Sequence, residues 1–189
     1  FQLITQATEK LKQVFMTRND VLILTASGTG ALEAAVVNTL SPGDKVLSAS
    51  AGAFGDRFAD AAAAYGAEVQ RLEFEWGSPV DPQALRQALR HSPDTKAVLI
   101  THNETSTGVT HDLEAISKVV KREFDRLLLV DAVSSLGCIP LPTDGWSCDL
   151  VGTASQKGFM VPPGLAFISV SKAAWQAQQS ATMPRFYFD

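Results

Sequence analysis

The chain has 189 residues, 46% hydrophobic and 19% charged, with a formal net charge of −4. That length supports one substantial core, and the balance of residues excludes a disordered chain. The negative charge leaves no broad basic surface for nucleic acid, and no apolar run reaches membrane-spanning length.

Residues 2–15 place Leu3, Ile4, Ala7, Leu11, Val14 and Phe15 at helical spacing, which predicts an amphipathic helix. Asn19-Asp20 breaks it. Val21-Leu-Ile-Leu-Thr25 is continuously apolar, as in a strand covered on both faces. Ala26-Ser-Gly-Thr-Gly30 is then a turn, and Ala31 to Leu40 a helix ended by Ser41-Pro-Gly43. The alternation continues through a strand at Lys45–Ser48 and an alanine-rich helix from Phe54 to Tyr65, with Gly66 placed to cap its end. Glu68 to Phe74 alternates as a strand. Asp81 to Leu89 is a helix with Asp81 as its N-cap. Ala97–Ile100, Leu127–Val130, Leu150–Gly152 and Leu165–Val170 are further strands. A helix spans His111 to Glu123, and another starts at Ser171. Strands alternating with helices imply an α/β fold of three layers, αβα, around a mostly parallel sheet of about seven strands.

Ligands bind such sheets outside the carboxyl ends of the strands. That rule selects the loops after Thr25, Ile100, Val130 and Gly152. The first contains Ser27-Gly-Thr-Gly30, where backbone N–H groups at a helix start, with the Ser27 and Thr29 hydroxyls, suit a phosphate. A tight turn without a ligand would look the same. Glu33 stands where a dinucleotide fingerprint needs a third small residue, and no Gly-Lys-Ser/Thr follows, so neither that motif nor a P-loop is present.

Asp131 ends an apolar strand. It suits either a cap for Ala132-Val-Ser-Ser or a buried carboxylate facing a cationic ring nitrogen. The loop Thr101-His-Asn-Glu-Thr-Ser-Thr-Gly108 gathers hydroxyls and amides, either around a ligand or as a polar cap for the next helix. His102 within it is a candidate general base. Phe54 follows Ala49-Ser-Ala-Gly-Ala53 and suits either the core or stacking on a flat ring. Lys157, in Thr153-Ala-Ser-Gln-Lys-Gly-Phe-Met-Val-Pro-Pro-Gly164, is either a solvated loop lysine or a covalent anchor for a carbonyl cofactor. His91, His102 and His111 lack the spacing of zinc ligands, so no metal is expected.

Taken together, Ser27-Gly-Thr-Gly-Ala-Leu-Glu-Ala34, the Thr101-to-Gly108 loop, Val130-Asp-Ala-Val-Ser-Ser135 and Ser155-Gln-Lys157 with Pro162-Pro-Gly164 resemble the class V aminotransferases. These are pyridoxal-phosphate enzymes of fold type I. The nearest branch is that of the alanine–glyoxylate and serine–glyoxylate (serine–pyruvate) aminotransferases. The resemblance runs in order through nearly the whole chain. It implies that Lys157 carries pyridoxal 5'-phosphate as a Schiff base and that Asp131 pairs with the ring nitrogen. It implies that Phe54 stacks on the ring, where the family commonly has tryptophan. Ser27, Gly28, Thr29 and Gln156 would hold the phosphate, and Thr105 would touch the phenolate side. Gln156 and Phe54 stand where cysteine desulfurases carry histidines, which disfavours that reaction.

The implied activity is transamination between a small amino acid, alanine or serine, and a 2-oxo acid such as glyoxylate or pyruvate. Another reaction on the same scaffold, or a non-catalytic subunit keeping the fold, remains open. The resemblance also implies a homodimer with shared sites. It makes residues 1–189 a cofactor-binding large domain, with an N-terminal segment and a small C-terminal domain bearing the substrate-carboxylate arginine outside this sequence. The chain opens at Phe1 without a methionine, in keeping with a fragment. The cysteines Cys138 and Cys148 are expected to stay reduced, which suits a cytoplasmic location, or a peroxisomal or mitochondrial one in a eukaryote.

Overall fold

The computed structural model describes residues 2–189. The apolar runs at 97–100, 127–130, 150–152 and 166–170 become strands buried on both faces, whereas the run at 21–25, expected to be covered on both faces, buries only Val21 and leaves Leu22 39% exposed at the sheet edge. β1 (Asp20–Leu24), β2 (Lys45–Ser50), β3 (Glu68–Glu73), β4 (Ala97–Thr101), β7 (Leu127–Asp131), β8 (Leu150–Ala154) and β9 (Ala166–Val170) form one seven-stranded sheet in the order β1-β9-β8-β7-β4-β2-β3. All its strands run parallel except β9, which lies antiparallel between β1 and β8. The polar loop after β4 contains a two-strand hairpin, β5 (Asn103–Glu104) and β6 (Val109–Thr110).

Period-two alternation divides the core. Val98, Ile100, Leu128, Val130 and Val151 face one side. There they meet Leu11 and Phe15 of α1 (Gln2–Phe15), Leu85 and Leu89 of α4 (Pro82–His91), and Leu113 and Ile116 of α5 (Leu113–Ser117). Ala97, Leu99, Leu129, Leu150 and Ile168 face the other. They meet Leu32 and Val36 of α2 (Gly28–Thr39), Phe58 and Ala62 of α3 (Ala53–Ala64), and Ala174 of α6 (Lys172–Gln178). Helices thus cover both faces of the sheet, as the alternation predicts.

The caps follow local chemistry. The Asp81 side chain accepts the Gln83 N–H at 2.9 Å at the start of α4. Gly66, at φ +101°, ends α3, and the Ala67 N–H turns back to the Ala62 carbonyl. Two other expectations change. The helix expected from His111 begins at Leu113, because Asp112 takes the cap and accepts the Ala115 N–H at 2.9 Å; it continues as a π-helical segment over Lys118–Glu123. Only two positions of the apolar stripe of α1 are buried. Leu11 and Phe15 are buried, whereas Leu3 and Ile4 are 81% and 62% exposed.

A buried carboxylate fastens the amino-end edge of the sheet. Asp149 accepts Lys121 Nζ at 2.7 Å, the Leu128 N–H at 2.9 Å and the Ser171 hydroxyl at 2.9 Å. It thereby ties the π-helical segment, β7 and the start of α6 together. Removing one side of a buried ion pair strands the other. Asp149→Ala is therefore expected to lower unfolding free energy by about 3 kcal/mol in denaturant titration. A loss below about 1 kcal/mol, the size of an exposed pair, would contradict this role.

Candidate active site

β1, β4, β7 and β8 share a direction, so the loops at their carboxyl ends open on one edge. That edge holds every site residue expected from the sequence. Ser27 caps α2, its hydroxyl accepting the Gly30 N–H at 3.3 Å, and Gly28 and Thr29 form the helix start. Gly28 is buried against the loop after β7. A Cβ there would lie 2.7 Å from Val133 Cγ2, so only glycine lets the α2 turn sit this close to the Asp131 loop. Thr105 is exposed at the hairpin, and Gln156 and Lys157 are exposed in the loop after β8. The Ser155 hydroxyl donates to the Pro162 carbonyl at 2.7 Å and so fixes the base of the lysine loop.

The loops are stitched to one another. Ser134, beyond β7, donates to the Asn103 carbonyl at 2.9 Å. Ser106, in the hairpin, accepts the Ala53 N–H at 3.1 Å and joins that loop to α3. Phe54 is partly buried in the first turn of α3, with the Arg57 guanidinium 5.0 Å from its ring centroid. Core packing therefore takes only part of this ring.

Asp131 is the electrostatic centre. It is 3% exposed. Its Oδ1 accepts the Val133 N–H at 2.9 Å, which is the local capping role, while Oδ2 takes no hydrogen bond among the described residues. Oδ1 thus meets the capping reading of Asp131, while Oδ2 is left available for the second. Burial pushes its carboxyl up to about 6; the Val133 N–H pulls it down, the Glu104 charge pushes it up, and Lys157 and Arg57 pull it down. Lys157, Arg57 and Glu104 are therefore all close enough to act on it. The Thr101 hydroxyl, in register with Asp131 on the neighbouring strand, is buried and unpartnered.

His102 is buried and held by its neighbours. Its Nδ1 lies 3.0 Å from the Ser135 hydroxyl and its ring meets Trp146 edge-on at 5.9 Å. Burial, aided by His111, pushes it down to about 4, so it is a neutral structural histidine at physiological pH. Two residues that the motifs did not single out belong to the site: Arg57, facing Phe54, and Glu104, which is fully buried beneath the hairpin. An acidic residue preceding Thr105-Ser-Thr107 was the available signal for Glu104. An apolar hollow of about 180 Å³ lies elsewhere, lined by Leu24, Leu150, Ile168, Trp175 and Phe188 among others, and lacks this concentration of polar chemistry.

Residues 1–183 match the family described as aminotransferase class-V, and the chain belongs to that family. It is 49% identical over 191 residues to the soluble hydrogenase small subunit of Synechococcus sp. (strain PCC 6716), covering 100% of this chain and 50% of that protein. It is 40% identical over 192 residues to L-aspartate–glyoxylate aminotransferase of Paracoccus denitrificans (strain Pd 1222), covering 100% of this chain and 48% of that protein. Its fold superposes on the crystal structure of alanine–glyoxylate aminotransferase from Nostoc sp. with a TM-score of 0.94 at 36% identity, over 100% of this chain and 50% of that one. The chain thus spans about half the length of the curated relatives it matches.

The residues present fit pyridoxal phosphate, the cofactor of this family. A nearly buried carboxylate with one unspent oxygen suits a protonated ring nitrogen. The glycine-tight start of α2 suits a phosphate, and the partly buried Phe54 ring suits stacking.

The raised Asp131 carboxyl has a stability consequence. Between the ordinary carboxylate value of about 4 and the folded value of about 6, the folded state binds the extra proton. Stability therefore falls as pH rises through that window, and the cost is complete above it. Cofactor-free Asp131→Asn, which keeps an acceptor for Val133, is expected to be more stable than the parent at pH 8 by on the order of 2 kcal/mol. The difference should shrink towards pH 4 in thermal unfolding. An equal or lower stability at pH 8 would show that burial does not strain this carboxylate.

Proposed function

We propose that the full-length protein is a pyridoxal-phosphate-dependent aminotransferase, moving an amino group from a small amino acid, alanine or serine, to a 2-oxo acid such as glyoxylate or pyruvate. Residues 1–189 serve as its cofactor-binding large domain. The observation that carries this reading is the buried Asp131 carboxylate, half unspent, at the same strand-end edge as Lys157. Bound there, the pyridinium ring supplies an electron sink for charge left on a substrate carbon.

The chain's own residues supply the rest. Lys157 Nζ would hold the cofactor and, as a free amine, would carry a proton from the donor Cα to the cofactor. Asp131 would pair with the ring nitrogen and keep it protonated, since an adjacent negative charge favours the cationic form. Ser27, Gly28, Thr29 and Gln156 anchor the phosphate, and Thr105 bounds the phenolate edge. Phe54 would stack on the ring and limit its orientation. Family resemblance supports a homodimer whose partner completes each site, with substrate-carboxylate recognition by residues outside these 189.

A second reading has its own support. The 49%-identical relative is named a soluble hydrogenase small subunit, which supports a role as one component of an assembly. Turnover separates the two. Full-length protein mixed with pyridoxal phosphate should develop a visible absorption band, and a donor panel of alanine, serine and aspartate with glyoxylate should show amino transfer. Lys157→Ala should abolish the band; an unchanged band refutes the anchor. Asp131→Asn should slow the amino-donor half-reaction by about a thousandfold or more, in line with losing a preorganised charge. A near-parental rate refutes that role.

A further inference from the structure

Glu104 is 0% exposed, and none of its hydrogen bonds comes from a lysine or arginine. A buried charge in that state is costly unless its oxygens are fully bonded. They are. Oε2 accepts the Phe54 N–H at 3.1 Å and the Gly55 N–H at 3.0 Å. Oε1 accepts the Ser106 N–H at 3.0 Å and the Ser106 hydroxyl at 2.7 Å, with the Phe54 N–H shared at 3.3 Å.

These partners explain the burial. α3 begins at Gly52, which offers no side-chain cap, so its first N–H groups would otherwise be orphaned. Glu104 caps the helix from another element and places its charge at the positive end of the helix dipole. Gly52 permits this approach: a Cβ there would lie 2.5 Å from Glu104 Cγ. The same carboxylate therefore grips two pieces of the site, the turn carrying Phe54 and the hairpin carrying Thr105.

We propose that Glu104 is a positioning residue for the cofactor ring, clamping the first turn of α3 to the β5–β6 hairpin so that Phe54 and Thr105 are held at a fixed separation. This rests on the pyridoxal-phosphate reading above. The charge of Glu104 also opposes ionisation of Asp131, so the clamp and the ring-nitrogen partner are electrostatically linked. Glu104 itself touches neither substrate nor cofactor and acts through Phe54 and Thr105.

Glu104→Gln tests the clamp, because one oxygen becomes an NH₂ group facing N–H or O–H donors. In full-length protein, three measurements separate positioning from bulk stability: melting temperature without cofactor, Kd for pyridoxal phosphate by absorbance titration, and visible circular dichroism per bound cofactor. The expected result, measured well below the melting temperature, is a Kd raised about tenfold or more, the order of one lost charged hydrogen bond, together with a reduced dichroic band. Ser106→Ala removes one donor and leaves the carboxylate buried. It should shift both readouts in the same direction by about threefold, less than one full hydrogen bond, and it carries the test if Glu104→Gln does not fold. A lower melting temperature with parental Kd and dichroism, in whichever of the two variants folds, overturns the proposal and leaves Glu104 a purely structural cap. Failure of the parent protein to bind pyridoxal phosphate through Lys157 overturns the functional reading and this one together. A band that is present in the parent and unperturbed in the variants overturns the role of Glu104 alone.

Discussion

Asp131 imposes the constraint around which the site is arranged. A carboxylate 3% exposed, with one oxygen bonded to Val133 and the other unbonded, is an unfavourable object in a protein interior. The nearby cations, Lys157 and Arg57, lower its proton affinity but do not outweigh burial, which leaves its carboxyl raised to about 6. A cationic ring nitrogen placed against the free oxygen removes the mismatch. The cofactor-free chain therefore holds a destabilised group whose strain is relieved by the ligand chemistry proposed for it.

The surrounding architecture keeps that group in place. The sheet ends Asp131 in register with Thr101 on one side and Gly152 on the other, and the α2 turn closes over it through Gly28. Glycine at positions 28 and 52 serves the same physical end at two places: removal of a Cβ lets a second element approach within contact distance. In the first case the neighbour is the Asp131 loop. In the second it is a buried carboxylate that replaces a missing helix cap. A hydrogen bond donated by Ser134 and one accepted by Ser106 then link the loops laterally.

Much of this was legible in the amino-acid order, for identifiable reasons. Apolar runs such as Leu127–Val130 can be buried on both faces only in a covered sheet, so the layered fold followed from them. Asp131 and Lys157 could be singled out because each interrupts a pattern of apolar or small residues. Glu104 offered only its place before Thr105-Ser-Thr107, because its burial depends on Gly52, 52 positions earlier, having no side chain of its own to cap α3. The antiparallel setting of β9 was equally hidden: its apolar run is as buried as those of β4 and β8, and direction leaves no trace in side-chain alternation. The stripe on α1 misled in the opposite sense. Helical periodicity records which face is apolar, not what covers it, and Leu3 and Ile4 stay exposed.

Three buried carboxylates show how structural and functional acids can be told apart by their partners rather than by their burial. Asp149 and Glu104 have both oxygens engaged, one by a lysine, a backbone N–H and a serine, the other by backbone N–H groups and a serine. Each ties secondary-structure elements together and leaves no acceptor for a ligand. Asp131 is as deeply placed, yet it stops half satisfied, and it does so at the strand ends where ligands bind such sheets. Folding alone gives no reason to leave that oxygen bare, since an asparagine would make the Val133 hydrogen bond without the charge. The transamination proposed for the full-length protein would give one, because an ionised group beside the ring nitrogen would hold the electron sink in its protonated form.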